Sequence, residues 1–289
     1  MNQFLKRSVL AVVGIPVLVF TALWGGWWLA ALMLALTLPA MGEYYTGVQR
    51  GGGRPVSALG YMCAIGLVLI TVFGGPEYRD SLTILLLFIA VLFSFISCLD
   101  RPSSHGALHD TATTIFGLVY VAIMMMFYVR LRDLDLPTMM NAGPVFLGGH
   151  VSSLFLVLVP AWALDTVAYT VGRAFGKHRL APKLSPHKTL EGAIAGFLAA
   201  VVFTVFLGVY WNHIPWGHAL VLGALIGVLG QLGDLSESAL KRDIGVKDFG
   251  TMFGPHGGVL DRFDNMLFVM PLAYFYLWIV FVAASHPGF

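Results

Sequence analysis

Apolar runs of bilayer length recur along nearly the whole chain, and they narrow its possible folds further than any other property. An α-helix rises about 1.5 Å per residue, so about 20 apolar residues cross the roughly 30 Å hydrocarbon layer. On that scale the sequence predicts spans near residues 8–24, 27–45, 57–74, 81–98, 111–129, 151–172, 189–210, 217–235 and 261–283. In lipid every backbone N–H and C=O must find a partner inside the protein, and long runs without alternation satisfy this as helices. The expected fold is an all-α, polytopic integral membrane protein with about nine transmembrane helices. Composition agrees, with 58% hydrophobic residues, 11% charged residues and a mean hydropathy of +0.81. Lys6 and Arg7 before the first run resemble the start of a signal peptide, but a second run follows after only Gly25 and Gly26. A retained hairpin is therefore expected rather than a cleaved leader.

The loops orient these spans, because cytoplasmic loops collect Lys and Arg. With nine spans and the N-terminus inside, all 17 Lys and Arg except Arg79, Arg130 and Arg132 fall on the inner side. The charged loops 173–188 and 236–260 then share the cytoplasmic face, so one site could draw on both. This divides the chain into an N-terminal membrane region, 1–150, with about five spans, and a second region, 151–289, with about four spans and the two loops, where the candidates for catalysis described below are concentrated. A net charge of +2 without a basic tail excludes nucleic acid as the expected partner. Cys63 and Cys98 match no zinc or redox spacing and are expected as small buried hydrophobes.

In the first region few residues invite chemistry. Glu43 ends the second span beside Tyr44 and Tyr45, as an interface anchor or a functional carboxylate. His105 and His109 are four apart, a helical metal-ligand spacing that solvated linker residues also produce. Met124, Met125 and Met126 are expected as packing. In the second region Asp165 lies inside an apolar span, where a carboxylate ordinarily faces a polar cavity or a partner. Ser185, Pro186 and Glu191 read as the capped start of the following helix, and Lys188 beside free helix N–H groups suits a phosphate.

Residues 238–264 hold Lys241, Arg242, Asp243, Lys247, Asp248, Asp261, Arg262 and Asp264 in an otherwise apolar chain. Asp234 and Ser238 are four apart with Lys241 on the next turn, while Asp261 and Asp264 are three apart and expected on one face. Acids gathered this way repel unless a cation sits among them, and Mg²⁺ suits a site of carboxylates and phosphates. The competing account is a set of salt bridges, such as Asp261 with Arg242 and Asp264 with Lys241. That web leaves the turn Gly254-Pro255-His256-Gly257-Gly258 unexplained, where missing side chains permit close backbone approach to a ligand.

The segment Ser238 to Asp264 resembles the C-terminal motif of the phosphatidate cytidylyltransferase family, the CDP-diacylglycerol synthases. Ser238, Lys241, Arg242, Lys247, Asp248, Gly250, His256, Gly257, Gly258, Asp261, Arg262 and Asp264 fill its fixed positions. Ser185 to Gly192 is similar to a second block, departing at His187 where the family more often has lysine, and Asp165 and Asp234 fall where its other acids do. The resemblance is specific over 160–283 and general, in hydropathy, over 1–150. It implies a nucleotidyltransferase of phospholipid biosynthesis in the bacterial cytoplasmic (inner) membrane, its active site facing the cytoplasm. CTP and phosphatidate would give CDP-diacylglycerol and pyrophosphate with Mg²⁺ and a monovalent cation such as K⁺; a homodimer is the assembly considered. On this implication the catalytic residues are Asp234, Lys241, Arg242, Asp248, Asp261 and Asp264, with Asp234, Asp261 and Asp264 at the metal. Asp165, Ser185, Lys188, Ser238, Lys247, His256, Gly257, Gly258 and Arg262 would bind substrate. The alternative from another class is a cation-coupled membrane transporter that uses Asp165, Asp234, Asp261 and Asp264 as a relay.

Overall fold

The structure, a computed structural model, describes residues 3–99, 106–134, 136, 149–252, 254 and 257–283. Its elements are α1 (Gln3–Trp24), α2 (Gly26–Arg50), α3 (Ser57–Phe73), α4 (Pro76–Leu99), α5 (Ala107–Gly117) and α6 (Met124–Arg132). A π-helical turn, Leu118–Ile123, joins the last two into one rod. Then come α7 (Gly149–Phe175), strands β1 (Arg179–Ala181) and β2 (Ser185–Thr189), α8 (Leu190–Phe206), α9 (Trp216–Asp243), α10 (Leu260–Phe263) and α11 (Met266–Leu277).

Among the described residues six helices are long and apolar enough to cross a membrane by length and composition: Gly26–Arg50, Glu77–Leu99, Ala107–Arg132, Ser153–Phe175, Leu190–Trp211 and Trp216–Asp243. Three shorter apolar helices, Val13–Trp24, Ser57–Phe73 and Met266–Val282, occupy the other expected spans. The all-α expectation therefore holds, while nine full crossings are not established. Two boundaries move. Hydropathy ends the eighth span at 235, but α9 runs to Asp243 and carries Ser238 and Lys241 on the helix. It begins the ninth at 261, but a turn at Asp264 and Asn265 separates α10 from α11.

The chain divides into two compact units that are not sequential halves: Met1–Val129 with Lys241–Phe263, and Arg130–Leu240 with Asp264–Phe289. In the first unit Tyr44 and Tyr45 of α2 lie against glycines. A Cβ on Gly60 or Gly117 would overlap the tyrosine rings, and the Tyr45 hydroxyl donates to the Thr114 carbonyl at 3.0 Å. Lipid tails are as apolar as leucine, so helices in a bilayer associate through such close contacts and internal hydrogen bonds. The expected packing role of the methionines fits, since Met125 and Met126 are buried.

In the second unit the same device is repeated along α7, α8 and α9. A Cβ on Gly196 would press on the Leu164 carbonyl of α7, and one on Gly223 or Gly227 would reach α8 at Val201 or Phe197. Farther along α9, Gly233 fits beneath the Asp264 carbonyl, 2.9 Å from where its Cβ would stand. That contact brings the next residue, Asp234, to the turn that carries Asp264.

The start of α8 differs from expectation. Ser185 and Pro186 do not cap it; they lie in β2, which pairs antiparallel with β1. Thr189 is the N-cap, its hydroxyl accepting the Gly192 N–H at 3.2 Å. Glu191 instead reaches back to the loop after α7, accepting the Lys177 N–H at 3.1 Å and meeting His178 Nδ1 at 2.7 Å.

Candidate functional site

In the second unit, Asp234 and Glu237 lie one turn apart on α9, and Asp264 sits at the turn before α11. One carboxylate oxygen from each lies within 4.8 Å of the others. Glu237 is fully buried and the other two are partly exposed. Three carboxylates at such distances favour a cation among them, and an all-oxygen donor set with an open side fits Mg²⁺ and phosphate oxygens. Lys188, the residue before the Thr189 cap, forms an ion pair with Asp234. Asp165 of α7 accepts the Asn265 side-chain N–H at 2.6 Å, and the Asn265 backbone N–H donates to Asp264 at 2.7 Å. The acid inside an apolar helix thus has a polar partner in the residue that adjoins Asp264. Ser238 is buried one turn beyond Asp234, and Ser185 is half-buried in β2.

In the first unit, residues 241–263 form a different arrangement. Asp261 on α10 takes the Lys241 ammonium at 3.0 Å. Its other contacts are backbone N–H groups, from Gly258 at 2.7 Å and Phe249 at 3.2 Å. The expected pairs Asp261 with Arg242 and Asp264 with Lys241 are therefore replaced by Lys241 with Asp261; the Arg242 guanidinium donates instead to the Val246 carbonyl at 3.3 Å. Gly257 adopts φ 79°, and a Cβ there would stand 2.6 Å from the Asp261 carboxylate. Burial raises the Asp261 carboxyl, but the Gly258 N–H, Lys241 and the Phe249 N–H outweigh it and leave the pKa below the ordinary carboxylate value. Lys247, Asp248 and Arg262 are exposed.

Glu43 also belongs to this arrangement. From α2 its two oxygens accept the Val259 N–H at 3.0 Å and the Leu260 N–H at 2.9 Å. Gly250 and Gly258 approach so closely that a Cβ on either would overlap the Glu43 carboxylate.

Asp234 and Asp264 are thus brought together as expected, with Glu237 as a third member that the sequence-based assignment lacks. Its signal is present in the sequence, an acid three residues after Asp234 on the same helix face. Of the pair Asp261 and Asp264, the first lies on α10 and the second on the turn that follows it. His256, Pro255 and His105 lie outside the described residues. His109 is described, with Nδ1 3.7 Å from the Asp110 carboxylate.

The family model described as the cytidylyltransferase family matches residues 5–280. The phosphatidate cytidylyltransferase of Bacillus subtilis is 41% identical over 160 residues, 55% of this chain and 55% of that one, so this match spans about half of each. That of Synechocystis is 30% identical over 94% of this chain and 96% of its own length. That of Staphylococcus aureus is 32% identical over 92% of this chain and 96% of its own.

Proposed function

Because the chain belongs to the cytidylyltransferase family, we propose that it transfers the cytidylyl group of CTP to phosphatidate, giving CDP-diacylglycerol and pyrophosphate. The cluster of Asp234, Glu237 and Asp264 with Lys188 beside it is the observation that carries this reading. A phosphate-monoester oxygen of phosphatidate attacks the α-phosphorus of CTP, and the bond to the departing pyrophosphate breaks. The monoester is already substantially anionic near neutral pH, so no protein nucleophile is needed, only alignment and charge neutralisation. Asp234, Glu237 and Asp264 would hold Mg²⁺, which when bound supplies charge neutralisation for the phosphate oxygens. K⁺ as a second ion rests on the family resemblance.

The chain's own residues divide the remaining work. Lys188, released from Asp234 by the incoming nucleotide, would grip a phosphate, and Ser185 would add a hydroxyl. Phosphate-binding roles for Lys241, Arg242 and Lys247 rest on the family resemblance alone, while Asp165 through Asn265 steadies the turn that holds Asp264. The cation-coupled transporter reading has no support from the family or its relatives. The distribution of Lys and Arg supports reacting groups that face the cytoplasm, and the cytoplasmic-membrane location rests on the family resemblance.

Purified protein incubated with Mg²⁺, labelled CTP and phosphatidate should yield a lipid-soluble nucleotide and release pyrophosphate. Product from phosphatidate-free mixtures, or none from complete ones, would overturn the substrate assignment. Orientation is read separately with single cysteines at positions 177 and 247 in a background lacking Cys63 and Cys98. Neither should react with a membrane-impermeant thiol reagent in intact cells, and both should react after lysis; labelling of both in intact cells reverses the topology.

A further inference from the structure

We infer that Glu43 is a positioning residue for the catalytic loop, clamping Gly250 and the residues Gly258 to Leu260 through their backbone; the inference builds on the transferase reading above. Three observations carry it. First, the Glu43 carboxylate accepts two successive N–H groups, Val259 at 3.0 Å and Leu260 at 2.9 Å, at the entry to α10. A helix leaves its first N–H groups without internal partners, and α10 has only four residues, so a carboxylate from a distant helix supplies what the short helix cannot. Second, Gly250 and Gly258 both pack their backbones onto that carboxylate, where any Cβ would overlap it. Their lack of side chains is thereby explained by Glu43, without invoking a ligand. Third, Asp261 closes the same segment from its other side through the Phe249 and Gly258 N–H groups and Lys241. Two carboxylates thus hold residues 249–250 and 258–260 at the two ends of one loop, and Glu43 does so from α2, in the part of the chain where the family resemblance is least specific. Glu43 acts through the placement of Lys241, Asp261 and the loop backbone, without touching a reacting atom itself.

Misplacing catalytic groups by about 1 Å can cost on the order of 10²-fold in rate. Glu43→Ala should therefore lower kcat by roughly that factor, while Glu43→Gln, which keeps the reach and one acceptor oxygen, should recover about a tenfold share. The decisive readout is hydrogen exchange measured without substrate. The amides of Phe249, Gly250, Gly258, Val259 and Leu260 should exchange faster in Glu43→Gln, with α8 unchanged as the internal reference. Gly258→Ala, which drives a methyl group into an intact Glu43, should speed the same amides and covers the case in which Glu43→Ala does not fold. Unchanged exchange in both Glu43→Gln and Gly258→Ala would overturn the clamp, as would a loss of protection spread evenly through the protein. If these amides speed up but the wild type makes no lipid nucleotide, the clamp stands and the substrate assignment falls. If the wild type is active and the amides do not move, the substrate assignment stands and the clamp falls.

Discussion

In the first unit Glu43 and Asp261 end among backbone N–H donors and Lys241, whereas in the second Asp234, Glu237 and Asp264 end beside one another. The side chain is the same in both places and its surroundings decide its use. A carboxylate met by several N–H groups holds backbone in place; carboxylates facing each other raise their mutual repulsion until a cation joins them. The apolar chain can tolerate five acids near one motif because neither group leaves an isolated charge in hydrocarbon.

The comparison breaks most sharply under metal removal. EDTA should reduce cytidylyl transfer to background and added Mg²⁺ should restore it, measured as lipid-soluble label; full activity in stripped protein would remove the cation from the second unit. Next in size, Asp264→Asn should lower kcat by about 10²–10³-fold, the effect of losing one preorganised electrostatic group, and raise the Mg²⁺ concentration needed for half-maximal rate. Asp261→Asn should leave that Mg²⁺ requirement unchanged, because its carboxylate is committed to Lys241 and the loop backbone. A raised requirement in Asp261→Asn would erase the distinction between the two groups.

Lys188→Ala should raise KM for CTP about 10–100-fold with kcat nearly unchanged, since a charge-assisted contact of about 1.5–3 kcal/mol made equally in ground and transition states changes binding alone. A loss confined to kcat would move Lys188 into the chemical step. The smallest effect concerns acid stability. Asp261 has a lowered folded pKa, so its contribution is complete above the ordinary carboxyl value of about 3.9 and is lost as pH falls through the lower folded value. The difference in thermal stability between wild type and Asp261→Asn should therefore be constant from pH 7 to about 5 and shrink below about 4. A gap of unchanged width at pH 3 would contradict the ionised clamp.

The spans and the charged motif are legible in the sequence because both are local: hydropathy reports length, and a concentration of charge in an apolar chain has few explanations. Asp165 stands out for the same reason. The partition of the motif is not legible. Residues 261 and 264 have helical spacing, and nothing in that spacing announces that the helix stops at Phe263 and restarts at Met266. Ser185 looks a better cap than Thr189 because a five-residue strand containing Pro186 carries little periodic signal. Glu237 is readable from its spacing to Asp234, but Ser238, one residue on, fits the family motif and draws the assignment away from it. Glu43 is readable as an acid near a membrane surface, but its partners lie 216 and 217 positions away and contribute backbone atoms, which have no side-chain signature.

That separation has a consequence for how the protein is made. Translation adds about 5–20 residues per second, so Val259 is synthesised on the order of 10–40 s after Glu43. Throughout that interval α2 must be inserted with its acid still lacking the two N–H groups that later receive it. Water at the surface, or the insertion machinery itself, has to shelter the carboxylate until residues 259 and 260 arrive. The first unit therefore cannot reach its final form when its own helices are complete. It is finished by residues made 216 and 217 positions after Glu43, and a nascent chain halted before residue 259 would be a substrate for quality control however well its first six helices had inserted.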